Sequence, residues 1–135
     1  DRGKRLKPLV PSPPRTPDYL YHDPRPVAII RARLRFDRAA LAESRQRRGE
    51  HLPDILCPNC KLPDTIEHLL HECLLADLPR ATMLAAAHKA KLPSDKEALS
   101  KWLLGNTNAL HRNLAQPALV IGGAFLLSVS LTRQI

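Results

Sequence analysis

All three cysteines of this 135-residue chain lie in one stretch that also holds a histidine, in the order Cys57-x2-Cys60-x7-His68-x4-Cys73, within LCPNCKLPDTIEHLLHEC. Three thiols and an imidazole are donors that Zn2+ takes in a tetrahedron, and two cysteines two residues apart can reach one ion from a single tight turn. The pattern predicts a structural zinc site with Cys57, Cys60, His68 and Cys73 as ligands. Four protein donors leave no coordination position for an activated water, so such a site stabilises and does not catalyse.

His71 is the rival ligand, three residues after His68; its use would lengthen the loop from Cys60 to ten residues. His22, His51, His88 and His111 have no ligand neighbours at useful spacing. One geometric demand follows from the pattern. Cys73 is about 140° further round an ideal helix than His68, so both reach one metal only if Cys73 sits at or past the helix end.

Nothing else in the chain is arranged for catalysis. No general base stands at a persuasive spacing from a cysteine, and a metal would consume the thiolates. Asp64, Glu67 and Glu72 surround a helix start, where capping and solvation explain them. No glycine-rich phosphate loop is present. The expectation is a non-enzyme, with no small-molecule substrate.

The elements that must position the site are helical. From Val27 the apolar residues Val27, Ile30 and Leu34 recur at three and four, with Arg31 and Arg35 stacked four apart on a neighbouring stripe. Phe36 and Asp37 mark a junction, and Asp37 is expected to cap a second helix over residues 38–47 that Gly49 ends. Asp64, Thr65, Ile66 and Glu67 carry a helix-start signature just before His68. Pro79 opens an Ala-rich helix to about Lys91, and Ser94, Asp95, Lys96 and Glu97 form a capping box for a helix ending at Gly105. A last helix starts near Thr107 or Asn108 and meets Pro117, which should kink or divide it.

Residues 118–131 read ALVIGGAFLLSVSL. That run is short of the ~20 residues of a membrane span, so it is expected to be a buried core helix, with close helix packing at Gly122 and Gly123. The fold class predicted is all-α: a helical zinc-binding domain of about five helices over residues 27–135, made of Arg-rich helices (27–49), the site (56–73) and a helical tail (79–133). Residues 1–26 hold seven prolines and should form an extended basic arm, with Tyr19, Leu20 and Tyr21 as its anchor.

The charge is as uneven as the composition. Of the 21 Lys and Arg, 13 fall in residues 1–48 against 5 Asp and Glu, while residues 49–135 carry 8 of each; the net charge of +8 is therefore wholly N-terminal. Nucleic acid is the usual partner of such a segment. The candidate contacts are Arg2, Lys4, Arg5, Lys7 and Arg15 in the arm, and Arg25, Arg31, Arg33, Arg35, Arg38, Arg45, Arg47 and Arg48 beyond it. Guanidinium binds phosphate oxygens bidentately, and the scarcity of aromatics there points to recognition of the backbone of structured RNA more than to sequence readout.

Two blocks resemble a known family. RARLRFDRAALAESRQRRG at 31–49 and LCPNCKLPDTIEHLLHEC at 56–73 are similar to the zinc-binding domain found C-terminal to the reverse transcriptase and RNase H regions of non-LTR retrotransposon polyproteins. WLLG at 102–105 and the segment closing near Leu131, Thr132 and Arg133 resemble its helical tail. The resemblance implies that Cys57, Cys60, His68 and Cys73 bind zinc and that the domain assists nucleic-acid binding without being the polymerase. No polymerase or nuclease motif is present.

Asp1 is not an initiator Met, which fits either a processed protein or a piece of a longer one. The expectation is a retroelement-derived structural subunit of a ribonucleoprotein such as a mitochondrial ribosome, among neighbouring proteins in a reducing compartment and away from membranes. The alternatives are the C-terminal part of a retrotransposon polyprotein, or a zinc-stabilised protein-interaction module.

Overall fold

The computed structural model describes residues 22–135. The arm basics Arg2, Lys4, Arg5, Lys7 and Arg15, together with the Tyr19, Leu20 and Tyr21 anchor, lie outside the described residues. Within them the chain forms α1 (Arg25–Arg35), α2 (Ala42–Arg47), α3 (Ile66–His71), a 3-10 turn (Leu74–Ala76), α4 (Asp77–Lys89), α5 (Lys96–Leu103) and α6 (Arg112–Ser130), and no strand. The all-α expectation is met, with one helix more than the sequence suggested.

Helix α1 begins two residues before Val27. Pro26 stands in its first turn, where no N–H is needed by the helix. The Arg38 N–H donates to the Arg33 carbonyl at 2.7 Å, and Asp37 takes the left-handed conformation (φ 58°) usual for a glycine at this point. Asp37 thus closes α1 instead of capping the second helix. Its carboxylate accepts from Ser44 Oγ at 2.6 Å and from Arg47 at 2.7 and 2.8 Å, and these bonds, Arg47 first, hold its pKa well below the usual carboxylate range. Helix α2 starts only at Ala42, and Gly49 (φ 94°) ends it as expected.

Helix α6 is the centre of the fold, packing against α1, α4 and α5. Pro117 does not divide it: the apolar run of residues 118–131 belongs to a continuous 19-residue helix, long and apolar enough by those criteria alone to cross a membrane. Here it is a core element, with Leu119, Phe125, Leu126 and Val129 buried among Leu34, Trp102 and Leu103. Its outer side is less covered: an apolar groove of about 470 Å³ runs between α4 and α6, lined by Leu78, Met83, Val120 and Phe125 among others.

Arg31 departs from its expected place at the surface. It is fully buried, donating from Nε to the Leu103 carbonyl and from Nη2 to the Leu119 carbonyl, each at 3.0 Å, with Nη1 on the Asp23 carboxylate at 2.6 Å. Arg35 Nη1 reaches the Leu104 carbonyl at 3.2 Å, so the pair stacked four apart closes the C-terminus of α5, where the last carbonyls lack partners within the helix. The close approach expected at the two glycines is found there as well. A Cβ on Gly122 would stand 2.8 Å from Arg31 Nη2, and one on Gly123 would stand 3.0 Å from Val27 Cγ1.

Stability should follow this geometry. Arg31→Ala strands a buried carboxylate and should cost about 3–5 kcal/mol; Gly122→Ala overpacks the same spot at about 1–3 kcal/mol. The exposed Arg33→Ala should stay within about 0.5 kcal/mol of the parent. Urea unfolding of the three variants checks the order.

Candidate metal centre

Three local structures converge on the site. The first is a tight turn over residues 55–64: Cys57 N–H donates to the Leu62 carbonyl at 2.6 Å, Asp64 N–H to the Ile55 carbonyl at 2.6 Å, and Lys61 N–H to the Cys57 carbonyl at 3.0 Å. Lys61 adopts φ 62° to complete it. This presents Cys57 and Cys60 to one side. The second is α3, whose first turn is capped by Thr65 Oγ1 accepting the His68 N–H at 3.0 Å.

The third is the break after α3. The helix ends at His71, and Cys73 lies beyond it with extended backbone, its N–H on the His68 carbonyl at 2.7 Å. The demand that Cys73 sit past the helix end is met. The four donor atoms of Cys57, Cys60, His68 and Cys73 all lie within 4.8 Å of one another, with Cys73 Sγ 3.9 Å from Cys57 Sγ and 4.0 Å from Cys60 Sγ. His68 is 2% exposed, yet neither ring nitrogen has a hydrogen-bond partner. The Glu72 carboxylate is 3.5 Å from its Nδ1; a buried imidazole without a hydrogen bond is costly, and a metal ion among the three thiols would supply the partner the ring lacks.

His71 is not a rival for that ion. Its Nε2 is 2.6 Å from Ser100 Oγ, which ties α3 to α5, and burial pushes its pKa below the ordinary imidazole value. The cysteines differ from one another. Cys60 accepts the Leu74 N–H at 3.2 Å, and that bond, with smaller help from Asn59, pulls its thiol down to about 6; burial pushes Cys73 up.

Comparison with protein-family models, curated proteins and solved structures gives no match to this chain. The site therefore stands on its own geometry, which includes three residues that pattern-reading missed. Arg80 is buried and donates to the carbonyls of Leu70, Leu69 and Cys73 at 2.9, 3.1 and 3.0 Å, closing the end of α3. Asp64, read from sequence as part of a helix start, is 2% exposed and accepts from the Ala42 N–H and from Arg133 Nη2, both at 2.9 Å. Arg133 Nη1 is 3.6 Å from Cys57 Sγ and 3.8 Å from Cys73 Sγ. Lone arginines and an aspartate have no spacing signal that reveals such partners.

The remaining basic candidates are dispersed in role. Arg47 pairs with Asp37 and Glu43 at 2.7 Å each, Arg45 pairs with Glu50 at 3.0 Å, and Arg48 donates to the Asp37 and Ala39 carbonyls. Local acids thus relieve repulsion that the sequence left unexplained. Arg25, Arg33 and Arg38 are exposed, and Phe36, at the C-terminal end of α1, is 67% exposed. An aromatic between Arg35 and Arg38 was a signal available in the sequence.

Protein purified without added metal should carry about one ion per chain by elemental analysis. His68→Ala and Cys73→Ser should lose it, and His71→Ala should keep it.

Proposed function

We propose that this chain is a non-catalytic RNA-binding module whose helices are locked by a structural zinc ion, serving as a retroelement-derived structural subunit of a ribonucleoprotein such as an organellar ribosome. The observation that carries the reading is the closed donor set of Cys57, Cys60, His68 and Cys73, joined through Asp64 and the Ala42 N–H to a segment that presents basic side chains to solvent. Tetrahedral zinc with Zn–S near 2.3 Å implies sulfurs about 3.8 Å apart, beside the 3.9 and 4.0 Å found. A mixed set of thiolates and one imidazole is characteristic of structural zinc.

The likeness of residues 31–49 and 56–73 to the retrotransposon zinc-binding domain supports a nucleic-acid role. The exposure of Arg25, Arg33 and Arg38 supports phosphate contacts at these residues, and the exposed Phe36 ring is the candidate for stacking one unpaired base. A second reading, a protein-interaction module, draws on the groove between α4 and α6 beside Leu78 and Val120, which are 77% and 64% exposed. In a large assembly the two roles are compatible.

Binding to a structured RNA, measured from low to high salt, tests the reading. Arg25→Gln, Arg33→Gln and Arg38→Gln together should flatten the slope of log K against log salt by about 2–3. Arg47→Gln should change it less. Phe36→Ala should cost about 1–3 kcal/mol with the slope unchanged. A triple variant with parental affinity and slope would sink RNA binding through this segment, and recovery of a long polyprotein from native material would favour the retrotransposon alternative.

A further inference from the structure

We propose that Arg133 is the counter-ion of the metal centre, a positioning residue that fixes the thiolates of Cys57 and Cys73 and through them sets metal affinity. The inference rests on the four-ligand zinc reading. Arg133 is drawn into the domain at the C-terminal end of α6, where its N–H donates to the Val129 carbonyl at 3.1 Å. Its side chain is 10% exposed. One arm of the guanidinium is on Asp64 at 2.9 Å, and the other is within 3.6 and 3.8 Å of two sulfurs. A planar fork can serve a carboxylate and a pair of thiolates at once; an ammonium cannot.

Charge supplies the reason. Zinc with three thiolates and a neutral imidazole carries one net negative charge, and buried Asp64 adds a second. The buried cations beside them are Arg133 and Arg80, and the acids near Arg80, Asp77 at 3.7 Å and Glu72, have side chains 77% and 53% exposed to solvent. The loaded centre is therefore neutral with its two arginines. Arg80 is committed to three backbone carbonyls, so direct donation to sulfur falls to Arg133. Outer groups of this kind hold ligands in the geometry the metal needs.

The rest of the C-terminal segment is held by contacts of its own. Thr132 Oγ1 donates to the Val129 carbonyl at 2.9 Å, and Ile135 is 5% exposed in the core. Arg133 is the one residue of the segment that reaches the sulfurs among the described contacts.

The test uses the full chain with Zn2+ against a chromophoric chelator, and Co2+ as a spectroscopic probe. The parent should bind about one Zn2+; if it binds none, the zinc reading fails, and Arg133 is not needed to explain it. Given binding, Arg133→Gln should weaken affinity about 10–100-fold. It should also move the sulfur-to-Co2+ charge-transfer band to lower energy, because thiolates without an N–H donor give up electron density more easily. Arg133→Lys keeps the charge without the fork and should fall between the two. It carries the test if the glutamine variant fails to fold, since parental affinity and an unshifted band in the lysine variant would remove the fork. Zn2+ affinity within twofold of the parent and an unshifted band in a folded Arg133→Gln protein would overturn the proposal.

Discussion

A six-residue helix has no stability of its own in water, and the centre of this domain depends on α3 being held in place. Its first turn is closed by Thr65 and its last carbonyls by Arg80. Its two site residues, His68 inside the helix and Cys73 just beyond, belong to a donor set shared with the turn at Cys57 and Cys60. The ion such a set can take would join the turn, itself closed by the isolated bridge between Leu56 and Pro63, to α3 and the segment beyond it, which the Leu74 N–H already ties to Cys60 Sγ at 3.2 Å. His71, one turn on from His68, fastens the same helix to α5 through Ser100.

Aromatic residues make up only 4% of the chain, and arginines take over part of what large apolar side chains do elsewhere. Arg31 joins α1 to the end of α5 and to α6, Arg80 closes α3 from α4, and Arg133 joins the end of α6 to the metal centre. Each has a long stem that fills space and a planar head whose donors are spent on carbonyls, carboxylate or sulfur. Burying a charge this way is unfavourable unless every donor is used, so these positions tolerate substitution poorly. The basic composition thus serves two ends, one inside the domain and one at its surface.

What could be read from the sequence was local. The donor spacing, the cap before His68 and the glycine stops at Gly49 and Gly105 depend on residues a few positions apart, and the structure has them. Asp37 misled because an aspartate suits both a helix start and the left-handed end of the preceding helix, and the bond from Arg38 to Arg33 decides for the end. The capping box before α5 shifted by one for a similar reason: Asp95, not Ser94, accepts the Ala98 N–H. Arg31 misled because its partners, Leu103 and Leu119, are 72 and 88 residues away, and periodicity tells which residues share a face but not what that face meets.

The contact between Arg133 and Cys73 spans 60 residues, which sets an order of events during synthesis. The four candidate ligands leave the ribosome well before Arg133. At about 5–20 residues per second that interval is roughly 3–12 s. For those seconds the thiols are linked to a chain that has Arg80 but neither α6 to pack against nor Arg133 beside them. Metal capture by the nascent turn and α3 could therefore precede closure of the core, with the segment after α6 docking over the donor set as a latch.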